Sequence, residues 1–463
     1  MDEIPHAATC LPFTRSDVRC SPGLPREQFN GNTAFIDGSH IYGSDEQTAD
    51  RLRTLEDGLM KVSESFEETN LPTRAQCGFE SPEFQPGGFN DEDLVTGDVR
   101  AIIQPTIASL HTLFLKEHNR IAKELKARLS YLLSSKTSEE ADELIYQETR
   151  AIIGAEIQQI VYDEYLPVVL GKKAYACYGL KLQKNSVYDS SVDPSILNEF
   201  ATVAFRFGHS TVSDRFDGNP PGWSLRNQFF KVVDFAACVP NGKETAENNN
   251  GDCWISEMHK AIEQLSPAGD MIVGEALREK LFNSSSTNFG NPLPEDLVAR
   301  NIQQAREHGI PSYSRLRIAC GMSPIIDDEK PEEIYQEIWD DILSVYSNAE
   351  DIDPFTGGLA ETSPKDGIVG PLFACIIATQ FQRLRDGDRF FFTHSCGLDD
   401  NTHDVRGLGK RTKHSIRKRT FGDILCDNPG SDIQGNSTRF TLLGKIMLTH
   451  NPLYHILFVQ GHR

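Results

Sequence analysis

A long amphipathic helical pattern is the feature that most limits how this chain can fold. Between residues 108 and 127, apolar side chains recur at spacings of three, four and seven residues, and a helix-breaking proline, Pro105, precedes them. The members of this apolar stripe are Leu110, Leu113, Phe114, Ile121 and Leu125. Because a stripe of this period lies along one side of a helix, it predicts an amphipathic helix that packs against other elements.

Helical patterns recur further along the chain. A second pattern covers about residues 148–161, and we expect Pro167 to stop its continuation. Weaker helical patterns cover residues 294–307, 331–347 and 371–385, whereas convincing alternating strand patterns are scarce. The predicted fold class is therefore mainly α, a large helical domain with few short strands.

A third helical pattern leads to a histidine. Asp193 is predicted to cap this helix and Pro194 to occupy its first turn. The apolar face that follows consists of Ile196, Leu197, Phe200, Ala204 and Phe205. The pattern places His209 at the end of the helix. By itself, a histidine in such a position is a satisfied core or capping residue more often than a metal ligand, so the pattern alone leaves its role open.

The charge of the chain excludes one class of partner. Lysine and arginine number 46 against 67 aspartate and glutamate, which gives a formal net charge of −21. This charge opposes binding to nucleic-acid phosphates, so we expect no nucleic-acid partner. No stretch reaches the roughly 18 consecutive apolar residues that a membrane-spanning helix requires. The strong basic run at residues 410–419 is interpreted as a solvated helix face.

Motifs of several other enzyme classes are absent from the sequence. It contains no GxGxxG between a strand and a helix, no GxSxG and no phosphate-binding loop. His111, Glu117 and His118 lack the order and spacing of an HExxH zinc site, and the ten cysteines form no CxxC pair. Nucleotide-binding, hydrolase and structural-zinc interpretations therefore have no support.

A series of motifs resembles one protein family. TVAFRFGHS (202–210) and RNIQQAREHGIPSYSRLRIACGM (300–322) are similar to segments of the animal haem peroxidases. Further similar segments occur in the family's order: NTAFIDGSHIYGSDEQTADRLR (32–53), GDVR (97–100), LHTLFLKEHNRIAKEL (110–125), IIGAEIQQIVYDEYLPVVLG (152–171) and VGPLFACIIATQFQRLRDGDRFFF (369–392). The resemblance implies a peroxidase-like domain over residues 1–428, without the N-terminal distal-histidine segment, and a divergent tail over residues 429–463.

The resemblance implies a haem b site. His209 matches the proximal ligand, a neutral imidazole that binds the haem iron. Asn301 matches the residue that accepts a hydrogen bond from the other ring nitrogen of that histidine. Arg206 matches an arginine that binds a haem propionate, and Arg100 matches the distal arginine that polarises bound peroxide. Without the resemblance, Arg206 is an ordinary surface arginine and Arg100 an arginine in a loop.

The resemblance also implies a calcium site. Thr33, Phe35, Asp37 and Ser39 match the family's calcium loop, in which alternate residues offer side-chain or carbonyl oxygens to one hard cation. Without the resemblance, this segment is a strand-like stretch followed by a turn. One carboxylate is too few by itself, and in the family another oxygen comes from an aspartate beside the distal histidine.

The sequence departs from the family at the distal side. The family's distal histidine, the base that takes a proton from peroxide, lies upstream of the cysteine matched by Cys10, and His6 does not match its motif. We therefore expect the chain to be an N-terminally incomplete version of a longer secreted protein. Ile103 replaces a glutamate that is esterified to a haem methyl, and Gln304 replaces an arginine on the haem side of the site. These changes are expected to weaken catalysis more than binding.

The cysteines favour an oxidising compartment. Family spacing implies two disulfides and local spacing suggests a third: Cys10 with Cys20, Cys320 with Cys375, and Cys238 with Cys253. Cys77 is expected to be free or paired with Cys177. Cys396 is the candidate partner of Cys426.

Two functions are weighed from the sequence. The first is a secreted, extracellular haem peroxidase that reduces hydrogen peroxide and oxidises a halide, a phenol or a protein tyrosine, with impaired or no activity in the chain as given. Sequons at Asn283 and Asn436 agree with secretion. The alternative is a non-catalytic acidic protein on the same fold, with extracellular-matrix or mineral partners. Ile103 and the net charge favour the alternative, whereas His209 and Asn301 favour the enzyme.

Overall fold

The described part of the fold is almost entirely helical. A computed structural model describes residues 13–19, 26–63, 71–79, 93–183, 188–215, 224–227, 229, 264, 266–282, 294–394 and 408–428. Within these ranges the strands form a single antiparallel pair, β1 (Val18–Arg19) with β2 (Glu27–Gln28), in which Val18 lies opposite Gln28. The predicted mainly-α fold class is confirmed.

The helices follow one another with short connections. Up to residue 209 they are α1 (Ser39–Tyr42), α2 (Glu46–Leu52), α3 (Arg74–Cys77), α4 (Pro105–Arg128), α5 (Ser130–Leu133), α6 (Ser138–Ile160), α7 (Leu166–Cys177) and α8 (Asn198–Thr202). They continue with α9 (Glu275–Arg278), α10 (Leu297–Glu307), α11 (Tyr313–Ala319), α12 (Gln336–Val345), α13 (Pro354–Ala360), α14 (Pro371–Asp386), α15 (Lys410–Ile416) and α16 (Phe421–Asp427). Turns of 3₁₀-helix lie at Val99–Ile102, Ala204–His209, Leu225–Asn227 and Ala349–Asp351.

Helices α4 and α6 form the centre of the fold. The predicted helix over 108–127 is confirmed, and Pro105 occupies its first turn, where a missing N–H costs no helical hydrogen bond. Leu110, Leu113 and Phe114 are completely buried, so the apolar stripe faces the main core as its period requires. The pattern over 148–161 lies within α6, which begins earlier, at a capping box formed by Thr137.

Pro167 does not stop the second helix, contrary to the prediction. Helix α6 continues through a π-helical turn, Val161–Tyr165, directly into α7. The wider turn changes the hydrogen-bond register just before the proline, so Pro167 lies in the first turn of α7, where prolines are tolerated. The backbone bends later, at Gly171, whose φ of 74° is in the left-handed region.

The helix before His209 begins later than predicted. Asp193 does not cap it, because its side chain accepts a hydrogen bond from the N–H of Ser195 (2.9 Å) in a local turn. The N–H of Leu197 donates to Oε1 of Gln380 (2.7 Å), so a side chain of α14 holds this segment extended until α8 begins. Pro194 therefore lies outside the helix, and the sequence pattern could not show this contact with a distant residue.

The end of this segment is not α-helical. Val203, with φ −126° and ψ −75°, separates α8 from the 3₁₀-helix that contains His209. Phe200 stacks on Phe205 with ring centroids 4.5 Å apart, so both parts bury aromatic rings in the same core. His209 lies at the end of a helix as predicted, although the helix is a short 3₁₀ segment.

A buried ionic network attaches the last described helix to the core. Nη2 of Arg419 donates to Oε1 of Glu117 in α4 (2.7 Å), and its Nε donates to Oε1 of Glu156 in α6 (2.8 Å). Burial and the charge of Glu117 raise the pKa of Glu156 to about 8. The N–H of Phe421, at the start of α16, donates to Oε1 of Glu164 (3.0 Å). Three carboxylates of the central helices thus bind the segment around residue 420.

The interpretation of residues 410–419 as a solvated basic face is correct only in part. Lys410, Arg411, His414 and Lys418 are exposed, as expected of such a face. Arg419 is the exception, because it lies between the two buried glutamates described above and only 19% of its side chain is exposed.

One predicted disulfide is confirmed, and one alternative is wrong. Cys320 is bonded to Cys375, which ties α11 to α14. Cys77 is buried and Cys177 is exposed, and both are free, so they do not pair. Other sequence predictions concern residues outside those described: Cys10, Cys20, Cys238, Cys253, Cys396, His6, Asn283, Asn436 and the tail over 429–463.

Candidate functional site

His209 and Asn301 are brought together from distant parts of the chain. His209 ends the 3₁₀-helix Ala204–His209 and is half-buried, whereas Asn301 is completely buried in α10. Nδ2 of Asn301 lies 2.8 Å from Nδ1 of His209. Asp296 caps α10 by accepting from the N–H of Ala299 (3.0 Å), which fixes the start of the helix one turn before Asn301.

The direction of this hydrogen bond differs from the prediction. We expected Asn301 to accept a hydrogen bond from His209, but its NH₂ group faces the ring and donates to it. The reason lies on the other side of the amide, where Nη1 of Arg206 donates to Oδ1 of Asn301 (3.4 Å). A guanidinium has only donors, so it turns the amide oxygen toward itself and the NH₂ group toward the histidine.

Arg206 is a cation without a carboxylate partner among the described residues. Its other hydrogen bond goes from Nε to the carbonyl of Ala201 (3.2 Å), a neutral acceptor. Burial lowers the pKa of Arg206 to about 10, and the charges of Arg100 and Arg300 lower it further in the same direction. A buried guanidinium in this setting is suited to an anionic group of a ligand, so the donor set fits a haem carboxylate.

Arg100 is paired differently. Asp98 caps the 3₁₀-helix Val99–Ile102, and its Oδ1 accepts from both the backbone N–H and Nε of Arg100, each at 2.9 Å. Burial acts to raise the pKa of Asp98, but the charge and hydrogen bonds of Arg100 outweigh burial and hold this pKa well below its usual range. The sequence analysis did not single out Asp98, although its position two residues before Arg100 in GDVR could have indicated the pair.

Two buried histidines lie beside this ion pair. His40 and His111 contact each other edge to face, with ring centroids 5.1 Å apart. Burial lowers the pKa of His40 to about 3 and of His111 to about 4, so both rings are neutral near pH 7. Nε2 of His40 has no hydrogen-bond partner within the described residues. Sequence reasoning missed His40, since a single histidine in SHIYG has no distinguishing pattern.

The four predicted calcium ligands converge. Oγ1 of Thr33 lies 3.1 Å from Oδ1 of Asp37, 3.1 Å from Oγ of Ser39 and 3.5 Å from the carbonyl oxygen of Phe35. The arrangement gathers one carboxylate, two hydroxyls and one carbonyl, oxygen ligands of the kind that Ca²⁺ prefers. Asp388 is close enough that, after burial, the charge of Asp37 helps to raise its pKa to about 6. Asp388 is a second carboxylate that the sequence analysis missed.

A small cavity lies between the calcium loop and the core. Its volume is about 30 Å³, room for about one water molecule. Its lining includes Phe35, Asp37, Gly38, His40, Ile157, Ile196, Phe200 and Phe381. The cavity therefore connects the loop with the unpartnered ring of His40.

The two substituted positions have structural contacts of their own. Ile103 packs against a small apolar cluster that includes Leu225 and Phe229. Nε2 of Gln304 donates to Oγ of Ser16 (3.2 Å), which also lies 2.6 Å from Nε2 of His308. His308 is thus a structural network residue, as the sequence analysis expected.

Other site classes are not found in the described residues. No group of three or more histidine, cysteine, aspartate or glutamate side chains there is arranged to hold a metal ion, so the rejected zinc site at His111, Glu117 and His118 is not formed. The membrane expectation can be examined over the same ranges, where no helix is both long and apolar enough to cross a bilayer.

Comparisons with known sequences agree on one family. A family model described as animal haem peroxidase matches residues 1–438. Human thyroid peroxidase is 32% identical over 462 residues, a match that covers 92% of this chain and 45% of that protein. Lactoperoxidase of Mesocricetus auratus is 35% identical over 446 residues, with 91% of this chain and 57% of that protein covered. The chain spans about half the length of these relatives.

Comparisons with solved structures agree with the helical fold. Peroxidase A from Dictyostelium discoideum superposes with a TM-score of 0.69 at 26% identity, covering 90% of this chain and 74% of that one. A fatty acid alpha-dioxygenase from Arabidopsis thaliana superposes with a TM-score of 0.61 at 22% identity, covering 84% and 60%. The second match shows a shared fold alone.

Proposed function

Because the chain belongs to the animal haem peroxidase family, we propose that it is a secreted, extracellular protein that binds haem b and takes part in the reduction of hydrogen peroxide. The oxidised partner would be a halide, a phenol or a protein tyrosine. No residue of the sequence matches the motif of the family's distal histidine, so turnover is proposed to be impaired or absent in the chain as given.

The observation that supports this proposal is the cluster of His209, Asn301 and Arg206. When bound, haem supplies an iron centre at which peroxide is reduced. His209 is the proposed axial ligand, and Asn301 holds its ring through Nδ1. Arg206 offers a desolvated guanidinium to a propionate of the group.

Arg100 is proposed to act on peroxide from the other side. Its pairing with Asp98 fixes the guanidinium, which would stabilise negative charge as the bond between the two peroxide oxygens breaks. The charge of Arg100 already lowers the pKa of Arg206, so the two guanidinium groups lie within electrostatic range. Ile103 cannot form an ester, so a covalent link to haem at this position is not proposed.

An absorbance spectrum of protein purified from its native source tests the proposal first. A Soret band that shifts within seconds of adding hydrogen peroxide is the expected result, because it requires both haem and a competent site. A band that does not respond would leave a haem protein without peroxidase chemistry. Absence of any band would contradict haem binding and favour the alternative described below.

Calcium is proposed as a second cofactor of the loop at Thr33, Phe35, Asp37 and Ser39. Adding calcium is expected to raise the melting temperature of the protein, since a ligand at 100 times its Kd stabilises by about 2.7 kcal/mol. Asp37→Asn should abolish this rise. Asp45→Asn, which alters the exposed cap of α2 instead, should lower the melting temperature slightly but keep the rise. Equal responses in both variants would contradict the site.

The alternative function is a non-catalytic acidic protein of an extracellular matrix or mineral layer. The net charge of −21 favours it, because acidic surfaces bind hard cations and cationic partners. Retention of this protein on a calcium mineral surface, combined with absence of a Soret band, would support the alternative over the enzyme.

A further inference from the structure

The amide of Asn301 connects two groups with opposite requirements. Its Oδ1 faces Nη1 of Arg206 (3.4 Å), and its Nδ2 faces Nδ1 of His209 (2.8 Å). An amide has one accepting end and one donating end, so the partner at one end decides which end faces the other. Arg206 has only donors and thereby sets the orientation.

This orientation determines which nitrogen of His209 holds the proton. Since Nδ2 of Asn301 donates, Nδ1 of His209 must accept, and the proton of the neutral ring is then on Nε2. A protonated Nε2 has no lone pair for a metal. An imidazole that binds through Nε2 needs its proton on Nδ1, facing an acceptor.

The amide cannot turn while Arg206 stays in place. A rotation by 180° would bring the oxygen to His209 but would point the NH₂ group at the guanidinium, so donors would face donors. The rotation becomes favourable only when Arg206 gains a different acceptor. The described part of the chain offers it no carboxylate, and the neighbouring charges of Arg100 and Arg300 favour the approach of an anion.

We propose that Arg206 is a positioning residue that makes His209 a metal ligand only after a carboxylate of the ligand has bound to Arg206. The carboxylate takes the hydrogen bond that Oδ1 of Asn301 accepted, the amide turns, and its oxygen accepts from Nδ1. During this change Nε2 releases a proton to solvent and Nδ1 takes one from solvent, so the ring stays neutral. This inference rests on the proposed haem-binding function.

The tautomer of His209 in the haem-free protein is the first test. The full chain is labelled with ¹³C and ¹⁵N in histidine, and His209→Gln identifies the His209 signal among the 13 histidines by its loss. At pH 8 the unaltered protein is expected to show the Nε2–H tautomer. Asn301→Asp should show the Nδ1–H tautomer, because a carboxylate accepts from Arg206 and from His209 at once.

Arg206→Met is the complementary variant. It removes the donor that orients the amide, so His209 is expected to move toward the Nδ1–H tautomer. Far-UV circular dichroism confirms folding of each variant. The proposal is overturned if the unaltered protein already shows the Nδ1–H tautomer, or if folded Arg206→Met retains the Nε2–H tautomer.

Metal-free protoporphyrin IX provides the ligand test, and its dimethyl ester provides the matched control. The two share one ring, but only the first has free carboxylates. Protoporphyrin IX is expected to convert His209 to the Nδ1–H tautomer, whereas the ester should leave it unchanged; conversion by both would overturn the coupling. If haem itself fails to bind, the proposed function fails, but the tautomers of the haem-free variants still decide whether Arg206 orients Asn301.

Discussion

The two sides of the candidate site treat their arginines in opposite ways. Arg100 is bound by Asp98, a carboxylate two residues before it, whereas Arg206 donates only to a carbonyl and an amide. One cation is therefore neutralised by the protein and keeps a fixed position, and the other retains its charge for a ligand. The difference shows that similar residues can serve fixed orientation on one side and ligand capture on the other.

Removing the carboxylate should have the largest effect on stability. Asp98→Ala leaves Arg100 without its partner and removes a helix cap, so the free energy of unfolding is expected to fall by about 3 kcal/mol. Urea unfolding measures the loss. The ion pair is present above the unfolded pKa of Asp98, near 3.8, and is lost only as the pH falls toward the lower folded value, so the deficit should be the same at pH 8 and pH 5. A deficit under 1 kcal/mol would remove the contrast between the two arginines.

The histidine beside Arg100 should produce the next largest effect, and only in acid. Burial lowers the pKa of His111 from 6.5 to about 4, so below pH 6.5 the unfolded chain binds a proton that the folded chain does not. Stability from this residue is complete above pH 6.5 and falls as the pH drops toward 4, by up to about 1.4 kcal/mol per pH unit.

His111→Gln tests this pH dependence. Compared with the unaltered protein, the variant should lose about 2 kcal/mol less between pH 8 and pH 5, because glutamine does not titrate. Urea unfolding at each pH gives the comparison. Parallel pH curves for the two proteins would show that His111 titrates normally in the folded state.

The arginine on the other side should contribute little to stability and much to binding. Arg206→Met is expected to change the free energy of unfolding by less than about 1 kcal/mol, because only two hydrogen bonds to neutral groups are lost. Haem affinity, measured by absorbance titration, should fall by about 10- to 100-fold. A large loss of stability with unchanged affinity would reverse the comparison.

The smallest effect is expected from a residue on the outer part of the same helix as Asn301. Gln304→Ala removes one hydrogen bond to Ser16 and should cost about 0.5–1 kcal/mol. Haem affinity should stay unchanged, which makes this variant the control for substitutions in α10. A fall in affinity as large as that of Arg206→Met would mean that α10 acts as a unit.

Local periodicity was sufficient for part of the fold. The stripe from Leu110 to Leu125 predicted α4 because the helix buries one continuous face. The start of α8 and the passage of α6 through Pro167 were not predictable in this way. Both depend on contacts or hydrogen-bond registers set by other segments, such as the hydrogen bond between Leu197 and Gln380.

The residues of the candidate site came from motif resemblance, and their geometry did not. The sequence indicated that His209 and Asn301 belong together, and the structure places them 2.8 Å apart. The sequence did not indicate which end of the amide faces the ring, because that depends on Arg206 as a third partner. Their assignment as haem-binding residues stays a prediction.

The network around Arg419 has a consequence for the order in which the protein can fold during synthesis. Glu117 and Arg419 are separated by 302 residues, yet each lies in a buried position of the same cluster. Until Arg419 has been translated, the carboxylates of α4 and α6 have no such cation, so closing the centre of the fold would bury uncompensated charge. The ribosome must therefore deliver most of the chain before the earliest central helix reaches its final surroundings.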